Sequence, residues 1–357
     1  MFFNHLFKKS YPHLDWIQVE ISSFCNCRCV YCPHTEYRAN WQNRHLPLEL
    51  FSSLAPAFGK TKHIHLQGWG EPFIHPQFID FLRIAKKAGC TVGTTTNGTI
   101  LTADKIKEII NEGLDIIAFS LAGVDERNDS IREGTSIKRI MKCIEDIQRI
   151  KNGYGTDSPK IHIAYMLLQS GLKDLHKLPA FLASAGVSQT IISSLALAVN
   201  HTMEIQADLF FDKIQYRELI DSFQKIRDEG VVRGTDIFFN IVSPLMEKSY
   251  CSENIGRAAV VGSDGSLSPC VMAQIPVEGE NFYYFKGARH RLRRLTFGNI
   301  AHEPLNVIWH RKEYKNFVHS FVRGNVLSFC QNCAKRFPMS IQGESMTSID
   351  TFFQIYG

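Results

Sequence analysis

Between Asp15 and Leu195 the chain repeats one pattern: a short strand-like run, then a stretch with apolar residues at helical spacing. Asp15-Trp16-Ile17-Gln18-Val19-Glu20-Ile21 alternates apolar and polar residues and predicts a strand. Helical spacing follows over 48–58, 76–88, 102–111, 137–151 and 172–185, and strands are expected at 63–67, 91–95, 115–121, 160–168 and 189–195. Strands separated by helices are joined by crossovers and run parallel, which leaves an open sheet or a barrel. The turn-rich Asn152-Gly153-Tyr154-Gly155 and Asp157-Ser158-Pro159 mark a loop within this region. A long helical pattern over about 207–229 is expected to end the unit near Gly230. Beyond roughly Asp236 the alternation stops, and Gly, Pro and Cys punctuate short segments. The expected organisation is an N-terminal extension (1–13), a first domain (14–235), a second, cysteine-rich domain (236–345) and a tail (346–357).

Charge and hydropathy narrow the function classes. The 40 Lys and Arg against 35 Asp and Glu are spread along the chain, so no nucleic acid partner is expected. The one dense basic stretch, Arg289 to Arg294, reads as a solvated loop able to attract an acidic substrate. No apolar run approaches the roughly 18 residues needed to cross a bilayer, and the N-terminus lacks the order of a signal peptide. A cytoplasmic protein with no membrane contact is therefore expected. In a reducing compartment, clustered cysteines hold metal or do chemistry more often than they form disulfides.

The ten cysteines are clustered: Cys25, Cys27, Cys29 and Cys32 follow the first strand, and Cys251, Cys270, Cys330 and Cys333 lie in the last third. Cys90 and Cys143 stand apart and read as small buried hydrophobes. Cys25, Cys29 and Cys32 have the spacing Cys-x3-Cys-x2-Cys, and three thiolates on one loop can hold three irons of a 4Fe-4S cluster, leaving the fourth open. A structural zinc would recruit a fourth protein ligand, for which Cys27 is available. Otherwise Cys27 is a bystander.

This triple, with Tyr31 just before its last cysteine, resembles the signature of the radical S-adenosylmethionine (radical SAM) superfamily. Gln67-Gly68-Trp69-Gly70-Glu71-Pro72 resembles the family's Gly-Gly-Glu segment, with Trp69 intervening. Thr96-Asn97-Gly98 is common in the family, although Asn97 serves equally well as a plain turn residue. Ser120-Leu121-Ala122-Gly123 is similar to Ser-x-Asp-Gly, with Ala122 in place of the Asp, and Arg132 matches a position that pairs with the cofactor carboxylate. The resemblance implies a partial (β/α)6 barrel of TIM type in the α/β class, a 4Fe-4S cluster on Cys25, Cys29 and Cys32, and S-adenosylmethionine held by Tyr31, Gln67, Gly68, Gly70, Glu71, Asn97, Ser120 and Arg132. All these segments fall at strand carboxyl ends, where parallel α/β folds bind ligands. His63 and His65 lie within a strand and need no ligand role.

In the last third, Val261 to Cys270 reads as a strand, a tight turn at Asp264-Gly265 and a return strand, with a helix before Cys330-Gln331-Asn332-Cys333. This resembles the auxiliary-cluster domain called SPASM, in its shortened twitch form (a β-hairpin plus helix), since no cysteine follows Cys333. The resemblance implies a second 4Fe-4S cluster on Cys251, Cys270, Cys330 and Cys333; a zinc knuckle is the alternative. It also implies reductive cleavage of S-adenosylmethionine to a 5'-deoxyadenosyl radical and hydrogen abstraction, leading to oxidation or bond formation. A low-potential electron donor such as ferredoxin or flavodoxin is the expected partner, since such clusters reach very negative potentials.

The substrate is expected to be a small molecule or a peptide or protein. Only about 14 residues precede the first strand, which leaves no room for an N-terminal peptide-recognition domain and tilts the expectation toward a small molecule or a protein partner recognised otherwise. The ending Ile355-Tyr356-Gly357 lacks the two glycines of the molybdenum-cofactor cyclase. Alternatives are a redox-neutral epimerase, a peptide maturase, or a non-catalytic zinc or iron-sulfur protein. No catalytic acid, base or hydrogen donor is identified.

Overall fold

A computed structural model describes residues 10–209, 213–242 and 251–337. The tail 346–357 and residues 1–9 of the N-terminal extension lie outside the described residues. The six expected strands are present: β1 (Leu14–Val19), β2 (Thr61–Leu66), β3 (Thr91–Thr96), β4 (Ile116–Leu121), β5 (Lys160–Leu167) and β6 (Gln189–Ser194). They pair in parallel in that order.

Two more parallel strands extend the sheet, one at each edge. The alternation read as ending near Asp236 continues through β7 (Asp236–Asn240), which pairs with β6. At the other edge β8 (Ala258–Val261) pairs with β1, register Trp16 to Ala258 through Val19 to Val261. β8 turns back through Asp264-Gly265 into β9 (Ser266–Ser268), which pairs with β12 (Gly298–Asn299). Gly265 sits at φ 81°, a conformation that favours glycine. Between β9 and β12 a separate two-stranded ribbon forms from β10 (Asn281–Phe285) and β11 (Ala288–Leu292). The result is a mixed α/β fold in which the C-terminal strands continue the barrel sheet.

The helices bury their apolar faces against the sheet. α1 (Phe78–Lys87) buries Phe78, Phe81, Leu82 and Ala85, α2 (Ala103–Asn111) buries Ile106, Ile109 and Ile110, and α3 (Ile137–Gly153) buries six residues including Cys143. Thr102 and Ser136 cap α2 and α3 by accepting the N–H of Lys105 and Arg139. They meet Ile17, Ile64, Val92, Ile117, Phe119, Ile161 and Ile192 in one core, each fully buried aliphatic or aromatic side chain contributing about 1.5–3 kcal/mol over exposure. Cys90 and Cys143 belong to this core.

Three helical expectations change. The 48–58 stretch breaks into Leu48–Ser52 and Ala55–Phe58, the second carrying Pro56 in its first turn, where proline is tolerated. The 172–185 stretch begins as a 3-10 run over Gln169–Lys177 before α4 (Leu178–Ser184), again restarted at a proline, Pro179. The long helix expected over 207–229 is α5 (Lys213–Val232), starting and ending later than expected, and a separate short helix, His201–Ala207, capped by Asn200, precedes it. Toward the C-terminus α6 (Lys312–Val322) packs Phe317 and Phe321 beside Cys330. No helix among the described residues is long and apolar enough to cross a membrane.

Candidate functional site

The loop after β1 is held from several sides. The Ser23 hydroxyl donates to the Gln42 carbonyl at 2.8 Å, Trp41 Nε1 donates to the Ser23 carbonyl at 3.0 Å, and Glu71 N–H donates to the Phe24 carbonyl at 2.8 Å. Gly70 is glycine because of this packing: a Cβ there would lie 2.3 Å from the Ser22 carbonyl oxygen. Gly68 faces Glu20, whose Cγ would be 2.4 Å from an added Cβ. Both glycines therefore serve close packing of this chain upon itself. The two-residue strand Arg28–Cys29 pairs with Arg132–Glu133, placing Cys29 opposite Arg132. The Cys32 N–H donates to the Cys29 carbonyl, and Cys32 precedes the short helix Pro33–Glu36.

All the residues singled out in the first half converge on one cavity of about 320 Å³ at the carboxyl ends of the strands. Its walls include Cys25, Cys29, Cys32, Tyr31, Gln67, Gly68, Gly70, Glu71, Asn97, Ser120 and Arg132. Cys27, taken as a bystander, also lines it. Trp69 and Thr96, from the motif segments, also line it, and Thr95, Ala164, Tyr165, Met166, Ile191 and Ser193, which were not identified from sequence, complete the wall. Their only signal was position at the ends of the third, fifth and sixth expected strands.

Asn97 does form a turn, its Oδ1 accepting the Thr99 N–H at 3.0 Å, and it also reaches Asn26 Oδ1 at 2.9 Å beside the cysteine loop. Glu71 is a buried strut: its carboxylate accepts from the Phe73 N–H, the Thr96 hydroxyl and the Asn97 N–H at 3.2, 2.8 and 2.7 Å. Burial nevertheless lifts its carboxyl to about 7. Where the resemblance implies an Asp, Ala122 N–H is taken by Asn128 Oδ1 at 2.9 Å.

Electrostatically the cavity joins thiols to one buried cation. A hydrogen bond from Cys27 lowers the Cys25 thiol to about 6 and correspondingly raises Cys27, while burial pushes Cys32 up to about 12. Arg132 is buried and hydrogen-bonded to the Tyr31 hydroxyl. Burial disfavours its charge, but its interactions with Tyr31, Cys29 and Cys27 more than offset this and raise it above the usual guanidinium value. Arg132 Nε is buried with no hydrogen-bond partner, so one donor remains for an anionic ligand.

These residues fit an iron-sulfur cluster. The donor set is sulfur, all four thiols are free, and a cation with an unused donor faces the same space. No three His, Cys, Asp or Glu side chains among the described residues are arranged to hold a single metal ion. A cubane, being larger than one ion, calls for thiols set further apart around a cavity.

The C-terminal cysteines form the second group. Cys251 and Cys270 are raised by burial first and then by the neighbouring thiolates, Cys333 in the first case and Cys251 in the second. Burial lifts Cys330 to about 12 and also raises Cys333. The Glu253 N–H donates to Cys251 Sγ at 3.5 Å, and Lys335 pairs with Glu253 at 2.8 Å. Four neighbouring thiols, buried or half-buried, that would repel one another as thiolates are relieved by a bound cationic centre, so this set also fits a cluster.

Glu20 links the two groups and was not identified from sequence, where it was one polar position of a strand. Its carboxylate accepts the Trp69 N–H at 2.8 Å and the Ser263 hydroxyl at 3.0 Å. Trp69 Nε1 in turn donates to the carbonyl of Val271, next to Cys270, at 3.1 Å. Burial raises the Glu20 carboxyl from 4.5 to about 7. A raised acid contributes most to stability below its unfolded pKa and loses that contribution as pH climbs through the folded value. The stability of the wild type relative to Glu20→Gln, which does not titrate, should therefore fall by about 3 kcal/mol between about pH 4.5 and 7 in urea unfolding. A flat difference across that range would overturn the assignment.

Residues 19–159 match the family model of the radical SAM superfamily, and residues 251–334 match that of SPASM, an iron-sulfur cluster-binding domain. A tungsten-containing aldehyde ferredoxin oxidoreductase cofactor-modifying protein of Pyrococcus furiosus is 27% identical over 331 residues, 90% of this chain and 88% of its own. A GTP 3',8-cyclase of Thermodesulfovibrio yellowstonii is 23% identical over 320 residues, 84% of this chain and 95% of its own. Among solved structures, native anSMEcpe with bound AdoMet has a TM-score of 0.64 at 14% identity, covering 96% of this chain and 95% of that one. Streptococcus suis SuiB bound to S-adenosylmethionine has a TM-score of 0.62 at 14% identity, covering 94% and 78%. The likeness to these two structures is one of fold.

Proposed function

From a chain that carries a radical SAM domain followed by a SPASM domain, and with them two 4Fe-4S clusters and S-adenosylmethionine, we propose an enzyme that abstracts hydrogen from a small organic substrate and completes its oxidation or bond formation with the auxiliary cluster. The observation that carries this reading is the convergence of the thiols, the glycine segment, Asn97, Ser120 and Arg132 on one cavity. The bound cluster and S-adenosylmethionine supply reductive cleavage of the sulfonium and a 5'-deoxyadenosyl radical that removes a hydrogen atom.

Everything else is done by the chain. Cys25, Cys29 and Cys32 ligate through thiolates, and Cys27, hydrogen-bonded to Cys25, stabilises that thiolate rather than ligating. Arg132 directs its unused donor at the carboxylate of the methionyl group. Tyr31 holds the guanidinium in place, and Gln67, Asn97 and Ser120 offer polar groups along the same wall. Glu71, through Thr96 and Asn97, keeps the second and third strand ends together. Met166, Tyr165 and Ile191 close the far side with apolar surface that excludes water. Cys251, Cys270, Cys330 and Cys333 hold the auxiliary cluster.

Two relatives aligned over most of this chain are named for modifying a cofactor and for GTP 3',8-cyclisation, which supports a small molecule over a peptide. The test is strictly anaerobic reconstitution with iron and sulfide. About eight irons per chain and 5'-deoxyadenosine formed only with a low-potential reductant are expected. Fully loaded protein that never cleaves S-adenosylmethionine, or colourless protein carrying only zinc, would overturn the reading.

A further inference from the structure

We propose that the outer face of the β10–β11 ribbon is a docking surface for an acidic one-electron carrier protein serving the auxiliary site, an inference that rests on the two-cluster reading above. Alternate residues of a strand share a face. Arg289 and Arg291 on β11 therefore project to one side, roughly 7 Å apart, and both are exposed, as is Arg293 just past the end of the strand. Phe282, directly opposite Arg291, lies on the same side, and the Arg289 guanidinium stacks 3.4 Å over its ring. Arg291 has one partner, Glu280 at 3.7 Å, with both side chains more than half exposed, so the pair neutralises little.

The other side of the ribbon is buried. Tyr283 and Leu292 pack among Trp41, Leu195 and Leu197, which fixes the ribbon and turns its arginines outward. The Tyr283 hydroxyl donates to the carbonyl of Asn332 at 3.4 Å, and Asn332 stands between Cys330 and Cys333. The cationic face thus lies directly over the auxiliary ligand loop.

Shape selects the partner. The arginines line neither of the cavities beside the ribbon, whereas small ligands bind in concave sites. A flat cationic ribbon suits an acidic protein surface, for which charge sets the encounter rate. One electron then moves between carrier and auxiliary site, one being oxidised as the other is reduced, with no bond made and no proton transferred.

The probe is an acidic flavodoxin reduced to its hydroquinone, mixed in stopped flow with oxidised, iron-loaded enzyme. At about 20 mM salt the triple variant Arg289→Ser/Arg291→Ser/Arg293→Ser should reoxidise flavodoxin at least about tenfold more slowly than wild type, the difference closing at about 500 mM. The corresponding triple Lys variant should stay near wild type, and reduction of the auxiliary cluster by dithionite, read by EPR, should be unchanged in both. Equal rates for the Ser variant and wild type at low salt would overturn the proposal. So would a Lys variant as slow as the Ser one, or arginine-dependent binding of inorganic pyrophosphate with an unaltered flavodoxin rate. Arg293→Ser alone reads the same effect at smaller size if the triple variant fails to load iron. Wild type that loads no iron on the C-terminal cysteines fails the two-cluster reading instead, a result distinct from fully loaded enzyme that flavodoxin ignores.

Discussion

Cys29→Ala should reduce 5'-deoxyadenosine formation to background and lower the iron content from about eight to about four per chain, the C-terminal set remaining loaded. Cys29 is the buried member of the triple, paired through its backbone with Arg132 and set in sequence between Cys25 and Cys32. Cys27→Ala is the informative companion. Cys27 lines the same cavity and hydrogen-bonds to Cys25, so its loss should slow cleavage only a few-fold by weakening the Cys25 thiolate. A four-thiol zinc site would make the two substitutions equally damaging. Iron counting with a reductant-dependent cleavage assay decides between them, and cleavage surviving in Cys29→Ala would remove the three-thiolate assignment.

The second large effect is expected at Arg132. Arg132→Gln should weaken S-adenosylmethionine binding by on the order of 100-fold, about 3 kcal/mol, because it removes a buried cation that lines the cavity and keeps an unpartnered donor. Iron content and cluster absorbance should be retained, since the pairing of Cys29 with residue 132 is made by the backbone. Equilibrium binding of labelled S-adenosylmethionine to the loaded enzyme measures this directly. Wild-type affinity in the variant would reassign Arg132 to holding Tyr31 alone.

The parts of this molecule visible in the sequence are those that local chemistry determines. Strands β1 to β6 follow from hydrophobic alternation, and the Asp264-Gly265 turn from the freedom of glycine at positive φ. The cavity's cysteines and glycines were visible because their spacing is unusual. What the sequence concealed depends on distant partners. β7 is five residues whose identity as a strand rests on pairing with β6, and β8 joins the sheet by meeting β1, more than 240 residues earlier. Glu20 read as the polar half of an alternation, yet its environment is made by Trp69 and Ser263, both remote in sequence. The basic stretch at Arg289 read as a loop, whereas burial of Tyr283 and Leu292 makes it one face of an ordered ribbon.

The pairing of β8 with β1 also constrains how the chain can be divided. A fragment ending after β7 would leave Trp16 to Val19 as a raw sheet border, its unpaired N–H and C=O groups facing outward beside the apolar Trp16, Ile17 and Val19. Such a border is a template for strand addition by another copy, the usual seed of aggregation. The iron-binding C-terminal unit is thus also a guard strip for the barrel, and neither half can be traded or trimmed as an independent bead.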